Sequence, residues 1–165
     1  MRKAALALAL LMLAAGAPPA NVTDWTMTAD GIIDIYAADG KLQFAYPRVI
    51  VFDKDGYRVY TAQGYGGSRT VPDLMRGMQT PPKKDAPRIE SFAAWLYADG
   101  KPLDPATLKG RPTVAELGAP WCGPCHQLEA ELRKMPGINL LVINADAQGR
   151  MDELKAALKK RLGQQ

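Results

Sequence analysis

Thr113-Val114-Ala115-Glu116-Leu117-Gly118-Ala119-Pro120-Trp121-Cys122-Gly123-Pro124-Cys125-His126 is the stretch of this 165-residue chain on which its fold turns. Thr113 to Leu117 is a short, mostly apolar run and reads as a buried strand. Beyond the cysteines, Leu128, Leu132 and Met135 recur at i, i+4 and i+7, one face of a helix. Pro124 stands near the start of that helix, where proline is tolerated. Cys122 and Cys125 are the only cysteines. Two cysteines three apart at a strand-to-helix junction can form and break a disulfide with each other. The helix N-terminus favours the thiolate of the first one.

Working outward, Pro136-Gly137 stops the cysteine helix and Ile138 to Asn144 reads as a second buried strand. A last helix is predicted from about Arg150 to Leu162, with Met151, Leu154, Leu158 and Leu162 along one side. Asp152 and Glu153 in its first turn and Lys159 to Arg161 in its last complement the macrodipole. Upstream, Leu103 to Leu108 reads as a helical turn, Asp99-Gly100 as a turn, and Ser91 to Tyr97 as either strand or helix. Pro81, Pro82 and Pro87 mark residues 79–90 as a linker, because proline blocks helix and ladder alike. Before it, Tyr46 to Tyr60 is a hairpin, two β-rich runs around Asp53-Lys54-Asp55-Gly56. Gly64, Gly66 and Gly67 end its second strand. A short helix follows from Thr70, with Asp73 completing a weak capping box and Leu74, Met75 and Met78 as its apolar face. In residues 22–45, Asp30-Gly31 and Asp39-Gly40 carry hairpin signals, with a strand through Ile32, Ile33, Ile35 and Tyr36 between them.

Arg2 and Lys3 before the apolar run Ala4–Ala15, with small residues after it, read as a secretory signal over residues 1–20. The rival reading is an uncleaved anchor, although the run is too short to span a bilayer. No cysteine follows it to accept a lipid. About 145 residues remain, the size of one domain. They divide into a β-rich half at 21–78, a linker taken broadly as 79–95, and the cysteine half at 96–165. Without Arg2 and Lys3 the formal charge falls from +4 to +2, too mild to argue for nucleic acid. The basic groups at Lys83, Lys84 and Arg88 and at Lys155 to Arg161 read as solvated surface. One close cysteine pair in an exported protein is not a stapled scaffold, so the pair is there to be used. No phosphate-binding glycine loop appears, and no cofactor is implied beyond the redox-active Cys122–Cys125 pair.

Ala98-Asp99-Gly100-Lys101-Pro102-Leu103, then Leu108-Lys109-Gly110-Arg111-Pro112, then the strand and Trp121-Cys122-Gly123-Pro124-Cys125 resemble the thioredoxin superfamily. The likeness is greatest to exported reductases of the cytochrome c maturation type and covers roughly residues 96–146. In that family the cysteine helix leads to a strand, a helix, a proline-led hairpin and a closing helix. Here the chain stops after the second helix. Tyr46-Pro47 and the Asp-x-Asp-Gly hairpin resemble the missing piece, and the helix at 70–78 resembles the closing helix. The resemblance therefore implies a thioredoxin-like α/β fold, a mixed central sheet flanked by helices, in circularly permuted order. A domain-swapped dimer supplies the same contacts. The third possibility is an unrelated β-rich region beside a truncated fold, which would expose a sheet edge.

The resemblance implies roles. Cys122 is the exposed, attacking thiolate, and Cys125 resolves the mixed disulfide. Glu116, six residues before Cys122, is the buried acid that exchanges a proton with Cys125. Pro47 is the cis-proline facing the disulfide, with Tyr46 before it offering backbone hydrogen bonds to a peptide. Trp121, Gly123 and Pro124 complete the substrate-binding surface. Gly-Pro between the cysteines points to a reductase of protein disulfides, located in the periplasm and fed by a membrane electron donor. Two rivals stand beside it: a disulfide oxidase or isomerase, and a copper-binding protein using Cys122, Cys125 and His126.

Overall fold

Parallel strands buried on both faces need helices on both faces, and the protein meets that need. A computed structural model describes residues 20–37 and 44–163. The expected signal segment, up to Pro19, and the Asp39-Gly40 turn lie outside them. The elements are β1 (Asn21–Met27), α1 (Ala29–Ala37), β2 (Arg48–Phe52), β3 (Arg58–Gln63), α2 (Thr70–Met78), α3 (Ile89–Ala93), β4 (Leu96–Ala98), β5 (Lys101–Pro102), β6 (Thr113–Gly118), α4 (Gly123–Leu132), β7 (Asn139–Asn144) and α5 (Met151–Leu162). The strands form one mixed sheet in the order β3-β2-β6-β7-β1-β4-β5. The three central strands β6, β7 and β1 are parallel. The β2–β3 hairpin adds antiparallel to β6, and β4 antiparallel to β1.

Alternation along the strands divides the core. Ile50, Phe52, Ala115, Leu117, Leu141 and Ile143 face α1, α3 and the buried Leu154 of α5. Val49, Val51, Val114 and Leu140 face Leu74 of α2 and Leu128 and Leu132 of α4. The expected strands at 113–117 and 138–144, the hairpin at 46–60 and the turn ending at Leu108 are all present. None of the described helices is long and apolar enough to cross a membrane.

Several expectations are corrected. Ile32, Ile33, Ile35 and Tyr36 lie on helix α1, not on a strand, and all four are buried. The Thr28 hydroxyl accepts from Gly31 N–H at 3.2 Å, a helix cap in place of the hairpin turn. Gly31 is needed for close packing: a Cβ there would stand 2.6 Å from Cβ of Trp95. The capping box at Thr70 does not form. Thr70 Oγ1 accepts instead from Gly66 N–H at 2.9 Å, and Asp73 pairs with Arg76. Met75, Met151 and Leu162 are exposed, so α2 and α5 bury narrower faces than their apolar spacing suggests. Ser91–Tyr97 is divided between helix and strand, with α3 ending at Ala93 and β4 starting at Leu96. The proline-rich stretch is tied down at its end: Pro87 O accepts from Arg58 N–H and Gly56 O from Ile89 N–H.

Candidate active site

Every residue of β6 is buried. The strand leads to Ala119-Pro120-Trp121, where Cys122 N–H donates to Ala119 O at 2.9 Å and the backbone turns into α4. Cys122 is the N-cap, and its Sγ accepts from Cys125 N–H at 3.2 Å. A sulfur thus satisfies a backbone donor that the first helical turn leaves open. Cys122 and Cys125 form a disulfide with an S–S distance of 2.02 Å. Cys122 is itself buried, at 4 % exposure, against the expectation that it is the open member of the pair. The exposed groups are its neighbours Trp121, Gly123 and Pro124, which ring the disulfide at the surface. Ala119 and Tyr46 pack against the sulfurs from within.

Glu116 is 2 % exposed, and its Oε1 has no hydrogen-bond partner. Burial, reinforced by the nearby Glu129 carboxylate, pushes its pKa up to about 8, so the carboxyl is largely neutral at pH 7. Gly118 lies between this acid and the disulfide. A Cβ there would meet Cys125 Sγ at 3.0 Å and Glu116 Oε1 at 3.2 Å, so the missing side chain lets the two groups approach. A cavity of about 150 Å³ is lined by Glu116, Cys125, His126 and Glu129. That is room for a few waters.

The hairpin meets this site at the same end of the sheet. The Tyr46-Pro47 peptide is cis and Pro47 is buried. The next residue, Arg48, pairs opposite Leu117 of β6. Tyr46 reaches the site by its side chain. Its hydroxyl donates to Ala145 O at 2.5 Å, its ring stands edge-on to Trp121 at 5.7 Å, and burial pushes the phenol up to about 12. Two residues that no sequence motif marks hold the surface in place. Asp146 accepts from the Trp121 indole at 3.2 Å, and Tyr36 packs edge-on to Tyr46 at 5.8 Å. Asp146 directly follows the Asn144-Ala145 end of a buried parallel strand, a position from which a site residue is often drawn. The exposed His126 ring turns toward Pro120 O, at 3.0 Å, and Glu129. Among the described residues no group of three His, Cys, Asp or Glu side chains is placed to hold a metal ion.

The arrangement can carry dithiol chemistry. An oxidised pair caps a helix beneath an exposed rim, a largely neutral acid lines a small cavity behind it, and an aromatic wall stands to one side. No protein-family model, curated protein or solved structure matches the sequence.

Proposed function

We propose that the protein is an exported thiol–disulfide oxidoreductase that reduces protein disulfides on a circularly permuted thioredoxin-like fold. The observation that carries this reading is the Cys122–Cys125 disulfide capping α4 directly over the unpartnered, buried Glu116. In the reduced enzyme the Cys122 thiolate attacks a substrate disulfide. A mixed disulfide forms and the first substrate thiolate leaves to take a proton from water. Cys125 then gives its proton to Glu116 in the minority of molecules whose carboxyl is ionised at neutral pH, and attacks Cys122 Sγ. The Cys122–Cys125 bond forms as the second substrate thiolate leaves. Glu116 returns its proton through the cavity. A dithiol donor at the membrane restores the pair.

The sheet supports the permuted order. The strands run β6-α4-β7-α5 after the joining segment and β1-α1-β2-β3-α2 before it, and α5 packs on α1. Following β7-α5 by β1-α1 and then by the cis-proline hairpin gives an order in which successive elements are also neighbours in space. The hairpin pairs antiparallel with β6, the contact that the permuted order requires.

The deciding experiment is the reduction potential of the pair by equilibration with glutathione. Reference values run from about −270 mV for thioredoxin to about −120 mV for a strong periplasmic oxidant. The Gly-Pro dipeptide places this pair in the lower half of that interval. A value above about −170 mV would replace the reductase reading with an oxidase or isomerase.

A further inference from the structure

A second cavity, of about 480 Å³, opens on the face of the sheet opposite α4, between β2, β3, α1 and α3. Ile50 and Phe52 form its floor, and Phe92 and Trp95 one wall. The Phe52 and Phe92 rings stand 5.3 Å apart and the Phe92 and Trp95 rings 6.4 Å. An apolar cavity of this size with a few convergent polar groups takes a small organic molecule. Its wall from Pro87 to Trp95 belongs to the stretch that joins the two halves of the sequence. The disulfide chemistry makes no use of that wall.

The charged rim is unequal. Arg88 is paired with Glu90 and stacked 4.2 Å over the Tyr57 ring. Arg48 is nearly buried, with its guanidinium 5.2 Å from the Tyr36 ring centre. The acid in the lining, Asp34, is ion-paired to Arg161. Arg58 is exposed at the mouth and makes no ion pair or side-chain hydrogen bond among the described residues. The cavity thus combines an aromatic interior with an uncommitted guanidinium, and the Thr61 and Ser91 hydroxyls stand in the same lining.

We infer that this cavity binds a small aromatic carboxylate, with its ring among Phe52, Phe92 and Trp95 and its carboxylate on Arg58. Guanidinium–carboxylate pairs are charge-assisted and geometrically matched, so the charge of the ligand sets its affinity. A free aromatic acid and the C-terminal aromatic residue of a peptide share this chemistry.

Calorimetric titration of the full-length protein with 3-phenylpropionate, with the neutral 3-phenylpropionamide and with the tripeptide Gly-Gly-Phe tests the inference. The expected result is one saturable site for the acids and affinity at least about tenfold lower for the amide. Arg58→Gln should bring phenylpropionate down to the level of the amide. Ser91→Trp, which fills the cavity, should abolish binding, while Cys122→Ser should leave it unchanged. Tighter binding of the tripeptide names a peptide C-terminus as the occupant, and tighter binding of phenylpropionate a free acid. Arg58 is exposed, so its variant keeps the test decisive even where the filling variant does not fold. No saturable binding of either acid, equal affinity for acid and amide, or an unaffected Arg58→Gln protein would overturn the inference.

Discussion

β6–α4 and β1–α1 are two versions of one local unit. Each is a strand parallel to β7 that leads into a helix, and they flank β7 in the same register, with Thr113 and Asn21 both opposite Asn139. Each helix begins at the same edge of the sheet, with a side chain accepting from an early backbone N–H: Cys122 Sγ in one and Thr28 Oγ1 in the other. Each strand carries an acid opposite Val142, Glu116 in β6 and Asp24 in β1. The surroundings differ. β6 lies between two strands and beneath α4, so Glu116 is buried and held largely neutral. β1 borders only the three-residue β4 on its far side, and Asp24 is exposed. The two units share a backbone and differ in the capping atom, a sulfur in one and a hydroxyl in the other, and in how deeply their acid is buried.

The largest expected effect separates the two caps. Cys122→Ser should abolish disulfide reduction in an insulin turbidity assay, and Cys125→Ser should accumulate mixed disulfides. Thr28→Ala should leave the rate of reduction unchanged. Activity surviving in Cys122→Ser would erase the distinction between the units.

The two acids differ next. A buried carboxyl with a raised pKa is protonated in both states below the ordinary glutamate value, so it adds no pH dependence to stability there. As pH rises through that value the unfolded protein loses its proton first, and stability falls until pH passes about 8, where the folded state also ionises. Glu116→Gln removes this loss, raising stability at pH 8 relative to pH 4.5 by up to about 4 kcal/mol in urea titrations. It should also slow release of substrate from the mixed disulfide. A Glu116→Gln protein that keeps the wild-type pH profile of stability would contradict the burial of this acid.

Packing around the α1 unit comes third. Gly31→Ala drives a Cβ into Trp95 and should cost about 1–3 kcal/mol of stability. It leaves the potential of the cysteine pair untouched, since Gly31 lies in the unit without the sulfurs. The smallest effect belongs to the hydroxyl cap: Thr28→Ala should cost about 1 kcal/mol, read as a shift in urea midpoint at constant slope.

Much of this was legible along the sequence. Leu117 and Val114 announce a buried strand, Leu128 and Leu132 a helix, and Asp53-Lys54-Asp55-Gly56 a hairpin, because each pattern is written in adjacent residues. The acid at Glu116 and the proline at Pro47 were legible by resemblance. Ile32 to Tyr36 misled because a short apolar run fits strand and helix alike, and Asp30-Gly31 imitates a turn. The Thr28 cap three residues ahead of Gly31 was the available signal, and the contact that demands the glycine comes from Trp95, 64 positions away in sequence. Asp146 and Tyr36 were missed for the same reason, since neither carries a local mark of its partner.

The sequence by itself determined the chemistry at hand: two sulfurs at a helix start, an acid six residues before them, and the alternation that sends side chains to the two faces of a sheet. These depend on spacing of a few residues, which backbone geometry converts directly into position. Only the tertiary structure decided that Cys122 is buried while Trp121 is not, that Glu116 is desolvated while Asp24 is wet, and that Tyr46 closes one wall of the site. Desolvation depends on which distant elements cover a group. That cover is assembled here from strands and helices whose order in sequence is not their order in space.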